Sequence, residues 1–141
     1  MKNMYFLFLI FCFSCANIVP LTGGDKDVSP PELRSVYPEN KSTLFKENII
    51  TMVFDEAIQI NQTEKMFFSP YTDNDVSIES KGDELLISVD DEFKENTTYT
   101  IILNNIVKDI TEGNMLSNLE YTFSTGAVID TLYIQGNILD A

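Results

Sequence analysis

Between Leu33 and Ser124 apolar and polar side chains alternate in short runs, each closed by residues that turn the chain. Leu33 to Tyr37 is the first run, stopped by Pro38-Glu39-Asn40. In Ile49 to Phe54, the residues Ile50, Met52 and Phe54 fall on one face at period two, the spacing of a half-buried strand. Lys65 to Ser69 follows, with Pro70 behind it. Val76 to Ser80 and Glu84 to Val89 predict a hairpin around Lys81-Gly82-Asp83, where Gly82 supplies the backbone freedom of a tight turn. Thr98 to Leu103 and Leu119 to Ser124 complete the set. Leu85, Ile87 and Val89 alternate with Leu86 and Ser88, and Tyr99, Ile101 and Leu103 with Thr98, Thr100 and Ile102. No segment keeps a helical period over the ~10 residues of a typical globular helix.

Short strands at this density, with turn residues between them, predict an all-β fold of about seven strands. The arrangement that fits is an antiparallel β-sandwich of immunoglobulin type, with a closed barrel as the alternative that patterning leaves open. The expected core is Leu33, Ile50, Met52, Phe54, Leu85, Ile87, Val89, Tyr99, Ile101, Leu103, Tyr121 and Phe123. Tyr99, behind Asn96-Thr97-Thr98, is placed for a tyrosine corner, its hydroxyl bonded to nearby backbone. Gly113-Asn114 suits the left-handed conformations of a tight turn, and Asp109 suits an Asx-turn within its own loop.

Upstream the pattern changes. Met1-Lys2-Asn3 precedes an unbroken apolar run from Met4 to Phe13, then Ser14 and Cys15. A basic start, a short apolar stretch and a small residue at the cut point make a secretory signal peptide. The run is about half the ~20 residues that cross a bilayer, so it is not a stable membrane span. A cysteine directly after the small residue makes 1–14 a lipoprotein signal, cleaved between Ser14 and Cys15, with Cys15 acylated. Cys12 and Phe13 depart from the usual leucine and small residue, and an ordinary signal cut near Ser14 or Ala16 is the alternative. Residues 15–29 carry Pro20, Gly23 and Gly24 without sustained periodicity and predict a flexible tether. The domain is expected over 30–127.

Composition narrows the partners. The formal net charge is −13, and −14 once the leader takes Lys2 with it. Phosphate backbones are repelled by that charge, which excludes nucleic acid, and anionic lipid offers no electrostatic attraction. Membrane attachment therefore falls to lipid on Cys15. Cys12 and Cys15 form a C-x-x-C, but with no histidine and no second cysteine pair it is neither a redox nor a zinc motif.

The stretch from Pro30 to Gly126 resembles the bacterial Ig-like domain of the SbsA type. The resemblance rests on Pro30-Pro31, Tyr37-Pro38-Glu39-Asn40, Ile50-Thr51-Met52-Val53-Phe54-Asp55-Glu56, Phe93-Lys94-Glu95-Asn96-Thr97-Thr98-Tyr99-Thr100, Lys108-Asp109, Glu112-Gly113-Asn114-Met115-Leu116 and Phe123-Ser124-Thr125-Gly126. The leader, with Cys-Ala-Asn-Ile-Val-Pro and Thr-Gly-Gly, resembles that of Gram-negative envelope lipoproteins carrying this domain. The resemblance implies a structural or interaction module without a catalytic site or cofactor, held at the outer membrane by its lipid. An envelope protein or a polysaccharide is the partner it suggests. Val128 to Ala141 starts a new alternating run and resembles the first strand of a following small β-domain, of the kind related to carboxypeptidase regulatory domains, with a C-terminal tail as the alternative.

Other chemistry is sparse. Asp55-Glu56, Asp73-Asn74-Asp75, Asp90-Asp91-Glu92 and Asp109 offer oxygen ligands for calcium, but none fits an EF-hand loop. No histidine is present as a base and no glycine-bounded serine as a nucleophile, so no metal or catalytic site is expected. For sugar binding the chain lacks tryptophan, leaving Tyr71 and Phe67-Phe68 as the stacking candidates. Asn40, Asn61 and Asn96 head glycosylation triplets and are read as turn-forming asparagines.

Overall fold

A computed structural model describes residues 23–61, 66–71, 76–90 and 92–131. Among them are nine strands and no helix: β1 (Leu33–Tyr37), β2 (Ile49–Phe54), β3 (Ile58–Ile60), β4 (Met66–Ser69), β5 (Val76–Lys81), β6 (Glu84–Val89), β7 (Thr98–Leu103), β8 (Val107–Asp109) and β9 (Leu119–Ser124). The two larger sheets have the orders β1-β2-β6-β5 and β4-β7-β9, a third holds only β3 and β8, and every pairing is antiparallel. The two larger sheets, separate and closing on one core, make a sandwich, which settles the barrel alternative. The order is that of a constant-type immunoglobulin domain.

The seven expected strands are present, with two small changes. β5 runs one residue further, so the hairpin turns on Gly82 and Asp83 alone, Gly82 taking a φ of 65°. The third strand begins at Met66, Lys65 lying outside the described residues. Two three-residue strands, β3 and β8, add to the about seven expected and pair only with each other. Three residues are too few to display a period, and each strand is buried through its partner.

Alternation fixes the core. The inward residues of β2, β6, β7 and β9 are buried together with Ile58, Ile106 and Val107. Leu33 is the exception to the expected core, at 37% exposed. It lies on the edge strand β1, where the register with β2 shifts between Leu33 and Ser35, and only Val36 of that strand packs against the core.

Phe45 is buried for a reason that lies elsewhere in the chain. Behind β1 the segment Lys41 to Phe45 crosses to the second sheet and runs parallel to β9. Lys41 N donates to Thr122 O at 2.6 Å, Ser124 N to Ser42 O at 2.9 Å and Phe45 N to Ser124 O at 3.0 Å. This covers the outer edge of β9 and delivers Phe45 onto Phe123, ring centroids 4.1 Å apart. Phe93 and Phe68 extend the aromatic cluster to Tyr99. The Tyr99 hydroxyl accepts the Lys94 N–H at 3.0 Å, forming the expected tyrosine corner.

Candidate interaction sites at the two ends of the sandwich

The chain enters at one end of the sandwich and leaves at the other. Residues 23–30 are exposed and carry no regular secondary structure, and Pro31 is the first buried residue among those described. Asp27 O accepts Asn114 Nδ2 at 3.2 Å from the loop between β8 and β9. Glu32 N donates to Asp55 Oδ1 at 2.8 Å, just beyond β2. At the far end of β9, Leu44 N donates to Gly126 O at 2.8 Å and Asp130 N to Thr98 Oγ1 at 2.9 Å. A Cβ on Gly126 would lie 3.1 Å from the Asn96 backbone, so a side chain there displaces one of the two.

The entry end is organised by Asp109. Its carboxylate is buried and takes three backbone amides: Glu112 N at 2.6 Å and Gly113 N at 2.8 Å on Oδ1, and Asn114 N at 2.8 Å on Oδ2. Gly113, with a φ of 81°, lets the loop close around it; Asn114 needs no such conformation. Desolvation by itself would raise the Asp109 pKa, but the amides of Gly113, Glu112 and Asn114 outweigh it and hold the carboxyl below the ordinary range. Asp27 is likewise lowered, chiefly by the Ser29 amide. Glu56 is raised instead, first by desolvation and then by the charges of Asp109, Asp55, Asp27 and Glu112. A raised carboxylate pKa means that ionising Glu56 costs stability above that pKa, and the cost disappears as pH falls below it. Glu56→Gln should therefore raise the thermal midpoint slightly near neutral pH and leave it unchanged well below 4.5, the ordinary glutamate value. An equal shift at both pH values would show that charge is not the cause.

The exit end is open. A cleft of about 730 Å³ lies between the segment ahead of β2, the crossing from β6 to β7 and the residues after β9. Phe93 supplies its exposed apolar lining over the buried Phe45 and Val89, and Glu47, Asp90, Glu92 and Glu95 its charge, with Lys46 the one cation among the lining residues. Glu47, Asp90 and Glu95 are exposed and pair with no cation among the described residues.

A family model described as bacterial Ig-like domain matches residues 27–125, which contain all nine strands. The chain belongs to that family. Solved structures similar to this bacterial Ig-like domain include PcoC, a methionine-rich copper resistance protein from Escherichia coli. That match has 15% identity, a TM-score of 0.46, and covers 67% of this chain and 97% of the other. The N-terminal part of the bacterial S-layer protein SbsC matches at 16% identity and a TM-score of 0.43, over 68% of this chain and 23% of the other. At these scores neither likeness bears on function. No curated protein matches the chain.

The structure of this Ig-like domain disperses the acidic positions weighed as calcium ligands. Asp55 is held by the Glu32 amide and lies 3.8 Å from Arg34, and Asp109 is filled by its own loop. Asp90 is at the opposite end, in the cleft. Asp73-Asn74-Asp75 and Asp91 lie outside the described residues, as do Ser14, Cys15 and everything beyond Thr131. The aromatic pair divides: Phe67 is 60% exposed on the outer face, while Phe68 turns inward against Phe93 and Tyr99. Tyr71 is 80% exposed. Asn40 Oδ1 accepts Thr122 N at 2.9 Å, and Asn96 adopts a φ of 51°, both consistent with turn-forming roles.

The cleft residues carry no sequence signal as a set. Glu47 follows Lys46 with no other acid beside it, while Glu95 lies just behind Asp90-Asp91-Glu92. The crossing of Lys41 to Phe45 between sheets helps to bring these distant positions around one opening.

Proposed function

We propose that this chain is a non-catalytic, lipid-anchored protein of the bacterial cell envelope, its Ig-like domain of the SbsA type serving as a spacer and protein-interaction module. The observation that carries the reading is the order of parts: signal, Cys15, exposed lead-in, then a sandwich that the chain traverses end to end. Lipid on Cys15 supplies membrane affinity that a net charge of −14 cannot. The lead-in joins the end bearing Asp109, so the cleft is displayed on the side away from the anchor, one strand length or about 20 Å further out. In this reading the membrane is the outer one.

Expressed with its leader in a Gram-negative host, the protein should partition into detergent, and its N-terminal peptide should begin at Cys15 with added fatty-acyl mass. Cys15→Ala should abolish that mass and release the protein into the soluble fraction. A mature N-terminus elsewhere, without lipid, overturns the anchoring.

A further inference from the structure

We propose that the exit-end cleft is the docking site for a lysine- or arginine-bearing segment of a partner protein. The proposal deepens the reading of the domain as an interaction module and rests on it. Three properties of the cleft point to this ligand chemistry. Its volume, about 730 Å³, admits several side chains of an extended segment. Its apolar surface is the half-exposed Phe93, backed by the buried Phe45 and Val89 and continuous with the aromatic core, and it offers a contact for a methylene stem. Its rim presents Glu47, Asp90 and Glu95 against the single cation Lys46. An apolar stem with a positive head is how lysine and arginine side chains are built. A cation brought near the Phe93 ring gains further from the ring's negative face.

Position supports the same assignment. The acidic end at Asp109 closes on itself, because its buried carboxylate is saturated by backbone amides. The cleft has open volume between walls drawn from three segments, which are fixed by Phe45 N to Ser124 O, Val89 N to Asn48 O and Thr125 N to Thr97 O. A basic partner also suits a chain of net charge −13, whose field attracts it before contact. A second copy of this chain would be repelled by the same field.

The test uses the full-length chain in detergent and a short synthetic peptide of lysine, glycine and serine, compared with the same peptide acetylated on every lysine. Titration should show binding of the cationic peptide, weakening with salt, and none of the acetylated one. Glu47→Gln with Glu95→Gln should weaken binding roughly fivefold, the scale of two exposed ion pairs. Glu79→Gln with Glu120→Gln removes two exposed charges on the strands and should leave it unchanged. Absence of binding overturns the proposal. So does equal weakening by both double variants, which would mean attraction to the net charge alone. All four positions are exposed, and matching thermal midpoints confirm that the variants are folded. Failure of the peptide to bind with Cys15 acylated overturns the cleft assignment only; absence of lipid on Cys15 overturns the anchoring whatever the peptide does.

Discussion

Replacing Phe123 by alanine lowers the unfolding free energy by about 3–5 kcal/mol, the range for removing a fully buried aromatic ring. Phe123 is 0% exposed and lies at the centre of the aromatic cluster, its ring centroid 4.1 Å from Phe45, 5.0 Å from Phe93, 5.4 Å from Tyr99 and 5.9 Å from Tyr121. The substitution removes both the buried area and the partner of four rings, whose pairwise contacts are each worth about 0.5–1.5 kcal/mol beyond burial. No neighbouring side chain can fill the space, since β9 is held in register on one side by β7 and on the other by Lys41 to Phe45. A loss of this size is a large share of the roughly 5–15 kcal/mol of an ordinary domain. Phe67→Ala is the matched control: at 60% exposed it should shift stability by no more than about 0.5 kcal/mol. Urea unfolding reads both, as a fall in midpoint for Phe123→Ala with an unchanged slope. Equal midpoints for the two variants would mean that the strand faces are assigned the wrong way round.

The burial of Phe123 was legible in the sequence, as burial was wherever a strand was long enough to show its period. Phe67 and Phe68 are both surface candidates by sequence, and only Phe67 is exposed. In β2, β6, β7 and β9 the alternating residues point where period two places them, because a one-residue slip would turn each apolar set to solvent. Leu33 obeys the same alternation and is nevertheless exposed, since an edge strand with a register shift has a neighbour on one side only. Phe45 and Ile106 lie in no alternating run, and their burial comes from pairings with distant segments. Chain-local roles were legible too: the tyrosine corner at Tyr99 and the loop bonds of Asp109 both join residues five or fewer apart. The cleft was not, because its walls meet only after the two sheets have closed.

Asp109→Ala should produce the largest effect among the polar positions. Three backbone amides, those of Glu112, Gly113 and Asn114, converge on this one carboxylate. Without it they face a dry pocket, and an amide left unpaired there pays its full desolvation cost. The loop also bonds Ile110 N to Ala57 O and Asn114 Nδ2 to Asp27 O, so losing its shape loosens both the β3 side and the chain entry. Asp109→Asn should cost less, keeping one acceptor for Glu112 and Gly113 but turning an amide donor toward Asn114 N. The pH dependence gives the sharper test. Burial opposes the charge, yet the three amides prevail, and the folded pKa lies below the ordinary 3.8. The stabilisation is then complete above 3.8 and is lost as pH falls through the lower folded value. The gap between wild type and Asp109→Ala should widen slightly as Glu56 takes up its proton on the way down from neutral pH, and should narrow again below 3.8 as Asp109 itself is protonated. Removing the Asp109 charge also eases Glu56, which offsets part of the loss near neutral pH. Urea midpoints of both proteins across this range measure the gap directly. A gap that stays constant into strong acid would mean that Asp109 fills space there and that its charge contributes nothing.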